Sequence, residues 1–199
     1  TTGVIRDLTN QQVIKTITAS QNVAKVMIDL LDFKGRYDLP PTAFGNFTTT
    51  LTASYFTKYE YVDLDGRVVD ARGHQNGDSG IVPPIPKLKA NLRLSWFQDN
   101  HSASVTANYL HHVVADGSFS AFTTGLKPRR DIDDQTLINA QYAYTFSNFF
   151  NSELVASVGV TNLFDQRAQR MPQLGGMETR LQTPFGRQYW ISLDWTPNF

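Results

Sequence analysis

Two histidines stand side by side at His111-His112, and paired imidazoles are a common start for a metal site. On a strand, neighbouring residues point to opposite faces, so this pair cannot easily share one ion and reads as strand-end residues near a rim. Asp63, Asp65, Asp70 and Asp78 fall in one connection, and their oxygen atoms would suit calcium. Their spacing departs from the roughly 12-residue calcium-binding loop, which leaves an ordinary solvated loop as the plainer reading. Ser, His and Asp are all present, but without a nucleophile motif such as G-x-S-x-G. The chain has no Cys, which removes disulfides, thiol catalysis and thiolate metal sites together. No catalytic residue, metal ligand or cofactor is therefore assigned, and enzyme activity is not expected.

Basic side chains give a second set of candidates. Lys127, Arg129 and Arg130 lie in one long connection, and Arg167, Arg170 and Arg180 in another. Guanidinium groups at Arg129, Arg130, Arg170 and Arg180 would bind an anionic ligand bidentately. Pairing with local Asp and Glu for solubility is the simpler alternative. Met171, Met177 and Phe185 offer either an apolar ligand contact or self-packing of a long loop. Trp190 is the one apolar residue on the polar face of the last strand, reading either as a wall residue of a lumen or as a terminal-strand exception.

These residues must be positioned by strands. Formal net charge is zero, which gives no footing for nucleic acid, and no segment approaches the roughly 18 consecutive apolar residues of a membrane helix. Period-two alternation dominates instead. Leu31, Phe33, Gly35, Tyr37 and Leu39 alternate with Asp32, Lys34, Arg36 and Asp38. Similar alternations run over 47–55, 88–96, 103–109, 138–146 and 154–160. At the end of the chain, Tyr189, Ile191, Leu193 and Trp195 share a face, and the sequence stops on Phe199. That makes about seven strands, each near the roughly 9–11 residues of a tilted membrane-spanning strand. Slipping the 87–97 strand by one residue would carry Lys89 and Arg93 to the apolar face, at about 2–4 kcal/mol per basic side chain if that face meets lipid.

Connections at 40–46, 98–101 and 147–152 are short, whereas those at 63–86, 115–131 and 165–185 are long and rich in Gly, Pro, Asp and Arg. Strict alternation of tight and extended connections is a property of outer-membrane barrels. In that phase Tyr37, Trp96, Phe146 and Trp195 fall at one level, and Tyr55 and Tyr109 at another, as interfacial girdles do. Residues 1–21 read as an outer loop containing a hairpin around Val13–Ile17, and 22–199 as barrel strands. A self-contained barrel of eight strands, structural or adhesive, needs Val13–Ala19 to be a spanning strand. A soluble β-sandwich binding module is the third reading.

Four pieces resemble the C-terminal barrel region of TonB-dependent outer-membrane receptors. These are Leu31-Asp32-Phe33 with Gly35 to Pro40, then Gly45-Asn46-Phe47 through Glu60, then Gly159-Val-Thr-Asn-Leu-Phe-Asp165, and finally Gly186-Arg187 with the terminal aromatic strand. Their order and spacing cover most of residues 22–199. The resemblance implies an all-β, antiparallel transmembrane barrel of about 22 strands, of which this chain supplies seven or eight. The plug domain and the TonB-coupling motif would lie on another chain or an upstream segment. It further implies energised uptake of a scarce nutrient such as a siderophore or carbohydrate, an outer-membrane location, and contact with lipopolysaccharide. The barrel-assembly machinery would read Gly186, Tyr189, Trp195 and Phe199 as the terminal signal.

Overall fold

A computed structural model of the chain describes all residues except 1–2, 8, 11, 18–24, 64, 77–81, 116–130, 172–175 and 198–199. Its strands in chain order are β1 (Gly3–Arg6), β2 (Val13–Ile17), β3 (Val26–Asp38), β4 (Asn46–Val62), β5 (Val68–Asp70), β6 (Leu88–Gln98), β7 (His101–Leu110), β8 (Val113–Val114), β9 (Asp131–Ile132), β10 (Gln135–Phe149), β11 (Ser152–Thr161) and β12 (Gln188–Thr196). No helix long and apolar enough to cross a membrane occurs among the described residues.

The fold is all-β and antiparallel. Strands β3, β4, β6, β7, β10, β11 and β12 form one up-and-down sheet in that order, and short β5 pairs with β4 beside them. All seven alternating segments of the sequence lie in this sheet. Several strands outrun their alternation: β4 has 17 residues and β10 has 15. The extension of β4 arises because the β3–β4 hairpin continues past the end of β6, where a bulge at Asp29/Leu30 resets its register and β5 folds back onto it.

Register decides the two faces. Tyr37, Thr49, Leu94, Val105, Ala140, Val160 and Tyr189 are successive cross-strand partners, one from each strand. The adjacent row reads Asp38, Thr48, Ser95, Ser104, Gln141, Gly159 and Trp190. Seven separate alternations thus coincide in phase, giving one apolar and one polar face. Among the described residues no layer packs against the apolar face: Phe33, Tyr37, Leu94, Val158 and Ile191 are all exposed, Ile191 by 78%. Side chains on the polar face bond across strands instead, as where Asn91 Nδ2 donates to Asn108 Oδ1 at 2.6 Å and Thr48 Oγ1 to Asp38 Oδ1 at 2.6 Å.

The sheet does not close among the described residues; β3 and β12 are its two ends. Strands β1 and β2 pair with each other in a separate two-stranded sheet. Val13–Ile17 is therefore a five-residue hairpin arm and not an eighth strand of the large sheet, which removes the element a self-contained eight-stranded barrel requires.

Burial is concentrated at the end of the sheet where the long connections lie. Val113, Ala115, Ile132 and Met171 form one buried cluster with Leu181 against it, and Tyr59, Ala71 and Val82 form another with Tyr61 and Ile85. The short turns are tight because their residues accept left-handed backbone: Asp99 (φ 50°) between β6 and β7, and Phe150 and Asn151 (φ 50° and 57°) between β10 and β11.

Candidate functional site

The long connections fold over one end of the sheet and are joined by hydrogen bonds between their side chains and backbones. Gln75 is buried at 1% exposure; its backbone N–H donates to Val114 O (2.8 Å), and its Nε2 donates to Glu178 Oε2 (2.9 Å). Glu178, 4% exposed, also receives Arg180 Nε (2.8 Å) and Nη2 (2.8 Å) in a two-pronged pair. These bonds, from Arg180 first and then Gln75, hold the Glu178 carboxyl below its usual range, against the opposing effect of burial. Gln169 Nε2 donates to Asp131 O (2.7 Å), while its Oε1 accepts the Asp133 N–H (2.8 Å). Three connections far apart in sequence become one cap.

Beneath that cap, on the polar face, lies a cleft of about 360 Å³ lined by Ser54, Lys89, Asn91, Asn108, Gln135 and Leu181. Gln135 is 4% exposed, and its amide nitrogen has no hydrogen-bond partner among the described residues. Its polar groups are neutral amides and hydroxyls with one ammonium, placed among aliphatic residues such as Ala90, Leu110, Leu137 and Leu181, a set that hydrogen-bonds a hydroxyl- or amide-bearing ligand without strong charge selection. Further along the same face a cleft of about 260 Å³ runs between Arg93, Ser104, Asn139, Gln141 and Trp190. A third, of about 300 Å³, lies among the connections between Asp133, Asp134, Arg167, Gln169 and Arg170.

The basic residues singled out in the sequence separate. Arg180 is committed to Glu178, so its guanidinium fork holds the cap together. Arg170 is exposed and lines the third cleft. Arg129 and Arg130 lie outside the described residues, as does Phe199. Met171 is fully buried in the loop cluster.

Trp190 has a specific neighbour. It stands across from Gly159, and a Cβ built on Gly159 would come within 2.3 Å of the indole. The ring lies over the bare backbone of the glycine, covering a position where the sheet has no side chain. Its neighbours Tyr189 and Trp195 point to the other face and are exposed.

Asn162 to Asp165 and Gly186-Arg187 also meet. Asn162 is left-handed (φ 56°) and 1% exposed; its Oδ1 accepts the Gln166 N–H (2.8 Å), and its Nδ2 donates to Gln166 O (2.8 Å), closing a tight turn after β11. Asp165 (φ 54°) then accepts the Arg187 N–H at 2.8 Å and the Arg167 guanidinium at 2.9 Å, which together hold its carboxyl below the usual range. The carboxylate thereby fixes where β12 begins.

One reading of the histidines is corrected. Residues 111–112 are not on a strand: β7 ends at Leu110, and β8 begins only at Val113. The two rings do not diverge but stand 4.2 Å apart by centroid, with Asp134 Oδ1 3.1 Å from His111 Nδ1 and accepting the His112 N–H at 2.5 Å. Strand periodicity fails where the ladder is interrupted, and nothing in the local sequence marks the interruption. Likewise no local signal predicted Gln75 as a partner of Glu178, 103 residues away. These sites rest on geometry alone, since no family model, curated protein or solved structure matches the chain.

Proposed function

We propose that the chain is the C-terminal barrel portion of a TonB-dependent outer-membrane receptor that takes up a scarce nutrient with energy from the TonB complex. The observation that carries this reading is the two-faced meander: seven strands whose apolar residues fall in phase on one exposed face, with hydrogen-bonded polar residues on the other. A soluble sheet covers such a face with a second layer. In a bilayer, lipid covers it, and the polar face becomes the lumen wall.

Two levels of aromatic residues support the same reading. From the Leu88 level, where Tyr55 pairs, to Trp96 is eight residues along β6, or about 27 Å of strand. Tilted by about 40°, that stretch projects to about 21 Å, most of the roughly 25 Å height of a barrel's apolar band. The capped end, with its polar clefts, would face outward and contact ligand and lipopolysaccharide. Lining from Ser54, Asn91, Asn108 and Trp190 would form part of the passage wall. The remaining strands and plug would come from an upstream segment or another chain, because a sheet edge facing hydrocarbon leaves its backbone groups unsatisfied. The TonB complex would act through that same part. Gly186 and the β12 aromatics would present the terminal strand to the barrel-assembly machinery.

Fractionation of the producing cells tests the proposal. The chain is expected in the outer membrane, resistant to alkaline carbonate, and purifying in detergent with a plug-bearing polypeptide. Recovery as a monomer in the soluble fraction overturns it.

A further inference from the structure

We infer that His111, His112 and Asp134 form a binding site for a divalent transition-metal ion, of the zinc or nickel type, at the neck of the 111–134 connection.

The site arises from a gap in the strand ladder. Strands β7 and β10 pair as far as Leu110 opposite Gln135, and pairing resumes at Val113 opposite Ile132. The two residues left over on one side are His111 and His112; on the other they are Asp133 and Asp134. Four residues of metal-ligating type thus occupy the interruption, and three of them, His111, His112 and Asp134, come together across it. Pairing above and below fixes both backbones, and the buried Val113 and Ile132 anchor the upper side.

Within the gap, one nitrogen of each imidazole and one carboxylate oxygen of Asp134 lie within 4.8 Å of one another. Tetrahedral coordination with bonds near 2.0 Å places ligand atoms about 3.3 Å apart, so closing on an ion needs shifts of about an ångström. The side chains are 28%, 44% and 53% exposed, which leaves them free to make those shifts and leaves coordination positions open to water. Asp134 is already oriented, because its Oδ1 accepts the His112 N–H. His111 is oriented as well, with its Nδ1 3.0 Å from the Tyr109 hydroxyl. Because that nitrogen also stands 3.1 Å from Asp134 Oδ1, ligation through Nδ1 would replace the tyrosine contact.

Ligand chemistry selects the ion. Two imidazoles with one carboxylate favour borderline first-row metals, whereas calcium and magnesium take all-oxygen sets. The charge near the site is mixed: Asp133 and Asp134 stand close to Arg167 and Arg170 in the adjoining cleft. Arg167 is paired with Asp165. Bound metal would tie the two ends of the 111–134 connection together.

The purified full chain in detergent, titrated with zinc, nickel or calcium ions alone, tests the inference. One equivalent of zinc or nickel is expected to bind, and calcium is not. His111→Gln, His112→Gln and Asp134→Asn should each weaken binding by about 10-fold or more. A His74→Gln/His101→Gln double variant should bind as the parent does. Zinc should also slow proteolysis within the 111–134 connection of the parent but not of Asp134→Asn. Absence of zinc and nickel binding by the parent overturns the site, with no variant needed. Binding that survives all three substitutions, or that is lost in the His74/His101 variant, overturns it too. This inference is independent of the outer-membrane proposal.

Discussion

A methyl group at position 186 would meet Asp165 Oδ1 at 2.3 Å and the Arg167 guanidinium carbon at 2.8 Å. Glycine is required there because a carboxylate held by two hydrogen bonds fills the space a side chain would take. Gly186→Ala is expected to displace Asp165 from the Arg187 N–H and to loosen the start of β12. Hydrogen exchange at the amides of 187–190 should quicken, while those of β6 and β7 stay protected; unchanged protection at 187–190 would remove the role assigned to the contact. Trp190 and Gly159 show the same logic in reverse. The bulky residue sits where its partner has no side chain, so the apolar exception on the polar face has a local cause that needs no ligand.

The long connections behave as one element because charged and amide side chains tie them together. Glu178→Ala would leave the buried Gln75 Nε2 without its acceptor, a loss of about 1–3 kcal/mol. The folded-state carboxyl of Glu178 is lowered from its ordinary value near 4.5. Its stabilising contribution is therefore fully present above that value and lost as the pH falls through the lowered one. Protection factors for amides at 73–75 and 178–182 should fall in that acid window, ahead of those in the sheet. Glu178→Gln should lower protection at neutral pH and remove the acid-dependent step. A step of equal size in that variant would assign the loosening to other carboxylates.

For the whole molecule, the question is what covers the apolar face. Val158 and Ser157 are neighbours on β11 whose side chains point to opposite faces, Val158 beside Tyr142 and Ile191, Ser157 beside Ser192. If lipid covers the first face, Val158→Arg costs about 2–4 kcal/mol in vesicle-refolded protein, and Ser157→Arg costs little. Folding yield and equilibrium unfolding in phospholipid vesicles measure the difference. Equal effects of the two substitutions would mean that the apolar face does not meet hydrocarbon.

Alternation made the strands legible in the sequence. Period two is imposed by the pleat itself, so Leu92, Leu94 and Trp96, or Tyr189, Ile191 and Leu193, declare their common face wherever the strand lies. Turn positions were legible for a related reason, since Asp99-Asn100 and Asn151 tolerate the backbone that tight reversals need. Strand ends were less so: β4 runs on to Val62 because β3 and β5 supply partners there, and pairing is not a local property. Only the tertiary structure decided the rest. That the seven alternations share one phase, that Asp165 meets Gly186, and that Glu178 holds Gln75 all depend on register and loop packing between distant residues. The histidines make the point most sharply. Adjacent positions diverge on a continuous strand, but His111 and His112 converge because the ladder breaks between Leu110 and Val113, and that break is fixed by what β10 offers from the other side.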